Sequence, residues 1–189
     1  YSEGVHDDLN KAVWSAFEWD CNADLREIIL DYVRYFMYGA DEEKISDCIF
    51  LLEKNWQGAP EENPCIDTSY RMFCELLKDY PQLGENWRFL QLYFRACCDK
   101  FVKLKRVFEL KLIKEATEEL KSRNYSSALE ILNNPLRFQG SIIRVEIDTL
   151  AEKLFNLIGL QLDVEHYCAD SWERGAVLET IDNNVTDRA

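Results

Sequence analysis

Glycine and proline are scarce in this chain, seven and four among 189 residues, and histidine is scarcer still at two. So few turn-formers disfavour a β architecture built from many short strands, and they leave little room for low-complexity linkers. Two histidines are too few for a zinc finger, and the seven cysteines contain no C-x-x-C spacing, so neither a structural metal site nor a metal cofactor is expected. Uninterrupted apolar runs are missing as well. Charges break every hydrophobic segment before it reaches the eighteen or so residues of a spanning helix, so no membrane partner is expected. Basic charge is in deficit too: 22 Lys and Arg stand against 35 Asp and Glu, a formal net charge of −13. That balance repels phosphate backbones and excludes nucleic acid as a natural partner.

What is present is helical periodicity. Apolar residues recur at spacings of three and four almost throughout, and no alternating strand of useful length occurs, so the fold class is all-α. The pattern predicts a multi-helix bundle of about seven or eight helices. Residues 9–182 read as one helical domain, 1–8 as the stub of a preceding segment, and 183–189 as a loose tail. A first helix follows Asp7 or Asp8 as cap, with Leu9, Val13, Ala16 and Phe17 on one face. The second follows the cap Asp24-Leu-Arg-Glu27, with Leu25, Ile28, Ile29, Tyr32, Tyr35 and Phe36 inward, and stops at Gly39. Ile45, Cys48, Ile49, Leu52 and Trp56 form the stripe of a third; GAPEENPC reads as a loop, and a fourth helix from about Asp67 ends before Pro81.

The longest signal runs near 85–123. Trp87, Leu90, Phe94, Cys97, Phe101, Leu104 and Phe108 alternate spacings of three and four, and the stripe then shifts to Leu112, Ala116 and Leu120. This predicts a long central helix lying along its neighbours at a shallow angle. A short helix covers Ser126 to Leu132 and closes at Asn134-Pro135. Another opens at Ser141 with the seam Ile143, Ile147, Leu150, Leu154, Leu157 and Gln161, and Asp170-Ser-Trp-Glu173 caps a last segment.

Catalytic signatures are weak. Glu3-Gly-Val-His6 has the E-x-x-H spacing of di-iron bundles, but Gly4 and the adjacent chain end oppose a helix there, and Asp163-Val-Glu-His166 supplies only a partial second match. No nucleophile elbow, Walker sequence or dinucleotide fingerprint occurs, so no catalytic residue and no cofactor is assigned. Asn86-Trp87-Arg88 and Glu173-Arg174-Gly175 combine polar groups at tight positions, a composition found both at helix starts and on cleft walls. Asn124-Tyr-Ser and Asn184-Val-Thr are glycosylation sequons; they would suit a secretory or lysosome- or vacuole-like origin without fixing a compartment.

YSEGVHDDLNKAVW followed by W-D-x-x-A-D-L-R-E-I-I-L-D-Y-V-R-Y-F resembles a passage of large glycoside-hydrolase-like proteins in which a (β/α)₈ barrel runs into a C-terminal helical region. LLEKNWQG, ENWRFLQLYFRA, LAEKLFNLIGLQL and ERGAVLETIDNNVTDR are similar to the same region, so the likeness covers nearly the whole chain. It implies that Tyr1-Ser-Glu3 is the stub of a last barrel strand, that an upstream barrel of the same protein is the partner, and that Glu3, His6 and Asp7 face a carbohydrate pocket. The carboxylates of glycoside hydrolysis would then come from strands outside this chain. The expected function is a structural or cleft-shaping domain of a carbohydrate-active enzyme without catalysis of its own. The alternative is an acidic scaffold for protein–protein interaction resembling tetratricopeptide arrays, although no self-similarity at the period of about 34 residues is visible.

Overall fold

The computed structural model describes residues 7–133, 140–167 and 177–182, and every regular element among them is helical. Nine α-helices are described: α1 (Asp8–Trp19), α2 (Leu25–Phe36), α3 (Glu42–Lys54), α4 (Pro64–Asp79), α5 (Trp87–Lys121), α6 (Tyr125–Leu132), α7 (Ser141–Ile158), α8 (Val164–Tyr167) and α9 (Val177–Asp182). The one-turn helix α8 is the element that periodicity passed over, being too short to show a period. Asn134-Pro135, Cys168, the segment Asp170–Gly175 and the tail from 183 lie outside the described residues.

Local chemistry sets the ends of most helices. Asp24 accepts hydrogen bonds from the Arg26 and Glu27 backbone N–H groups, Asp41 from Lys44, Asn63 from Cys65, and Asn86 from Arg88 and Phe89. Each satisfies donors that the first helical turn leaves unpaired. Asp7 occupies the cap position of α1 but makes no side-chain cap bond; its Oδ1 accepts from Asn10 Nδ2 instead. GAPEENPC is more ordered than its composition suggests. Pro60–Glu62 form one 3₁₀ turn, and α4 begins at Pro64, whose missing N–H costs nothing at that position. At the far end of the chain, Gly159 takes a left-handed conformation (φ 67°) and stops α7 before Gln161.

Helices adjacent in sequence pack together from α1 through α6, and α5 also packs against α7. Most of the buried apolar residues form one cluster drawn from α2, α3, α4, α5, α7 and α9, with Leu112, Ala116 and Ala128 among those buried outside it. Phe73, Phe89, Met37, Ile45, Leu52, Leu76, Ile147 and Leu154 are its largest closed side chains. Each is worth about 1.5–3 kcal/mol of transfer free energy relative to an exposed position. Rings of Phe73, Phe89 and Tyr93 meet at centroid distances of 5.5–6.5 Å in its centre.

Four stripes differ from the sequence reading, and on α5 the last stripe position, Leu120, is 47% exposed. On α2 the inner face is rotated toward Leu30 and Met37, which leaves Tyr35 80% exposed and Leu25 at the open first turn. Trp56, expected at the end of the α3 stripe, is 76% exposed because α3 ends two residues earlier. Leu157, a seam residue by spacing, faces outward at the end of α7, beyond the reach of its neighbours.

Polar residues also enter the interior, most of them with partners, while the buried Ser46 hydroxyl has none. Glu146 of α7 accepts hydrogen bonds from Tyr70 (3.0 Å) and Tyr93, joining α7 to α4 and α5. Buried Asn55 donates to Ser69 Oγ (3.1 Å) and Asp99 Oδ2 (2.9 Å), tying the end of α3 to α4 and α5.

Candidate groove at the start of the first helix

The start of α1 lies over α2, α3 and α5, and the chain after α7 returns to the same place with Leu160 and Leu162. Between them is a groove of about 420 Å³. That volume falls in the range of about 300–1,000 Å³ usual for small-molecule sites. Its floor is apolar, formed by Leu9, Ile49, Leu52, Leu92 and Phe94, while Asp7, Asp8, Tyr32, Glu53, Arg88 and Arg95 supply polar groups.

Two ion pairs organise those polar groups. Asp8 uses both oxygens: Oδ1 accepts from the Tyr32 hydroxyl at 2.7 Å, and Oδ2 from Arg88 Nε at 2.5 Å. The Arg88 guanidinium lies 3.9 Å from the centroid of Phe36 and 4.2 Å from that of Trp87, so aromatic faces fix its plane. Asn86 braces the corner by donating Nδ2 to the Phe36 carbonyl at 2.6 Å while its oxygen caps α5. Burial first, and the Asp8 hydrogen bond second, push the Tyr32 hydroxyl above its ordinary value, so it stays protonated and donates. In the second pair, Arg95 reaches Glu53 (3.0 Å) and the Leu52 carbonyl (3.0 Å), with its Cζ 5.5 Å from the centre of the Trp56 ring. The Arg95 Nε–H is buried and has no acceptor.

Of the residues singled out from sequence, Asp7 lines this groove, and Arg88 of the Asn86-Trp87-Arg88 cluster is central to it. Glu3, His6 and Asn184 lie outside the described residues. Asn124 sits at the α5–α6 turn, exposed, with its Nδ2 on Glu119 (2.8 Å). His166 is drawn into a local contact: Asp163 accepts from its backbone N–H at 2.7 Å and faces its Nδ1 at 2.7 Å. That carboxylate raises the imidazole above its usual value. Among the described residues no group of three or more His, Cys, Asp or Glu is placed to hold a metal ion.

Sequence reasoning missed Tyr32, Glu53 and Arg95 as a set. Tyr32 read as part of the inner stripe of the second helix, and Glu53 and Arg95 carried no signal, because their partners are far away in sequence. The carboxylates of Asp8 and Glu53 are each engaged by an arginine, and that of Asp7, also in the groove, accepts from Asn10. At the three buried cysteines among the described residues the thiolate is disfavoured. Burial pushes Cys48 and Cys98 up to about 12 and Cys97 higher, which keeps all three as thiols at neutral pH.

No protein-family model, curated protein or solved structure matches this chain.

Proposed function

We propose that this chain is the helical domain of a carbohydrate-active, glycoside-hydrolase-like enzyme, forming one wall of a sugar-binding cleft and performing no turnover itself. The observation that carries this reading is the groove at the start of α1, where Asp8 pairs with Tyr32 and Arg88 and Asp7 and the Glu53–Arg95 pair line the same apolar floor. Bidentate polar groups above an apolar surface suit a hydroxylated ring better than a fully apolar or a highly charged ligand. Asp7, which the family likeness assigns to a sugar pocket, lines this groove; Glu3 and His6 immediately precede it in sequence. The partner in this reading is an upstream barrel domain of the same protein.

A second reading has its own support. The α5–α6 hairpin exposes Val107, Leu110, Ile113 and Leu129, an apolar surface of the kind used by helical scaffolds that bind other proteins.

Assaying the longer gene product and this chain side by side on a panel of aryl glycosides tests the first reading. Release of the chromophore by the longer product alone is the expected result. Turnover by this chain alone, or a reading frame whose initiator methionine directly precedes Tyr1, would overturn it.

A further inference from the structure

We propose that His166 is a proton-operated latch on the groove: with its proton it ties the returning chain to α7, and without it the imidazole gives up that tie and the wall formed by Leu160 and Leu162 loosens. The inference concerns the wall and holds whatever ligand the groove takes.

That wall has little secondary structure of its own. Gly159 ends α7 in a left-handed conformation, and no regular element follows until α8 begins at Val164. Leu160 and Leu162, which line the groove, lie between those two points. Besides the partial burial of both leucines against the core, three attachments among the described residues hold the stretch. The Leu178 N–H of α9 donates to the Leu162 carbonyl at 3.1 Å, the Val164 N–H donates to Glu179 of α9 at 3.0 Å, and His166 reaches back to α7. Of these, the His166 contact is the one whose charge changes near neutral pH.

Carboxylates stand at both ring nitrogens of His166. Nδ1 faces the two Asp163 oxygens at 2.9 and 2.7 Å, and Nε2 lies 3.8 Å from Glu152 Oε2 on α7. The Glu152 carboxylate is held in place, because Asn156 donates to its other oxygen at 3.0 Å. Phe155 of α7 lies against the imidazole with ring centroids 4.0 Å apart. Glu165 adds negative charge from α8 itself, and Glu179 of α9 is engaged two residues away at Val164. These neighbours are acidic or apolar. The Asp163 hydrogen bond first, opposed by burial and helped by the charges of Asp163, Glu152 and Glu165, raises the imidazole above its ordinary 6.5.

The two nitrogens respond differently to deprotonation. A neutral imidazole keeps one N–H, and the closer carboxylate, Asp163, retains it at Nδ1. Nε2 then presents a lone pair to Glu152, and an attraction becomes a repulsion. Asp163 is a local partner that also accepts the His166 backbone N–H, so the α8 turn persists. Glu152 belongs to a different helix, and its contact is the one that the lost proton cuts. Because the folded pKa is the higher one, the tie is complete below the unfolded value of about 6.5 and is lost as the pH rises through the folded value.

The test follows the full chain, labelled with ¹³C and ¹⁵N, by NMR from about pH 5 to about pH 9, a range that brackets a raised imidazole pKa. The two histidines are told apart with His166→Gln, which leaves His6. His166 is expected to titrate above 6.5, with the amide shifts of Leu160 and Leu162 moving at the same midpoint. Hydrogen exchange at the Val164 and Leu178 amides, corrected for its intrinsic pH dependence, is expected to lose about two- to fivefold of its protection across that midpoint, the scale of one solvent-exposed ion pair. Glu152→Gln, at an exposed position, is expected to leave the thermal transition unchanged, to lower the His166 midpoint and to flatten the response of the wall. This variant decides the matter even where His166→Gln does not fold. A midpoint at or below 6.5, Leu160 and Leu162 amides indifferent to the His166 titration, or an undiminished response in Glu152→Gln would overturn the proposal.

Discussion

The two halves of α5 both carry helical apolar spacing, alternating three and four in the first and shifting to steps of four in the second, and live in different surroundings. From Trp87 to Phe101 the helix runs through the centre of the bundle. Phe89, Leu90, Tyr93, Phe94, Ala96, Cys97, Cys98 and Phe101 are all buried against α3, α4 and α7. From Val102 to Lys121 only Leu112 and Ala116 are closed off, chiefly by α6, while Val107, Leu110, Ile113 and Leu120 remain exposed. At 1.5 Å per residue the 35 residues span about 52 Å, longer than the helices packed beside them. Periodicity alone therefore makes a helix, but burial needs a neighbour, and α5 outruns most of its neighbours.

The largest expected effect lies in the first half. Phe89 is wholly buried and in ring contact with Phe73 and Tyr93, so Phe89→Ala should cost about 3–5 kcal/mol in denaturant unfolding. A loss below about 1 kcal/mol, the range of a surface site, would mean that this half is not the core. Leu112→Ala in the second half should cost less, about 2 kcal/mol, because one short helix covers the site and can close part of the cavity. Equal losses at the two positions would erase the contrast between the halves.

The smallest effect is at the junction, where Lys100 and Lys103 of α5 both reach Asp67 of α4. Burial opposes ionisation of Asp67, but the hydrogen bonds from the two lysines outweigh it and hold its pKa below the ordinary 3.8. For an acid with a depressed folded pKa, the contribution is complete above the unfolded value and is lost as the pH falls through the folded one. Asp67→Asn should therefore remove about 0.2–1 kcal/mol at neutral pH, and less as the pH drops below about 3.8. A deficit that stays constant down to pH 2 would assign the effect to packing.

Sequence pattern made the helices legible because its causes are local. Caps at Asp24, Asp41 and Asn86 act within three residues, and Gly159 stops α7 by its own backbone angle. Orientation was less legible. On α2, apolar and aromatic residues cover more of the surface than one neighbour can bury, so spacing alone did not decide between Tyr35 and Leu30. The candidate site was legible in its pieces, Asp7 and Arg88, and hidden as an arrangement.

Composition and periodicity by themselves determined an acidic chain whose described elements are helical, with charges interrupting every apolar segment and many starts and stops written into it residue by residue. Tertiary structure alone decided which flank of each helix closes and which polar groups meet. Asp8 finds Arg88 across 80 positions of sequence, and Tyr70 finds Glu146 across 76. The physical reason is range: capping and side-chain period act within about one helical turn, whereas a groove exists only after separate helices have packed and the desolvated charges between them have found partners.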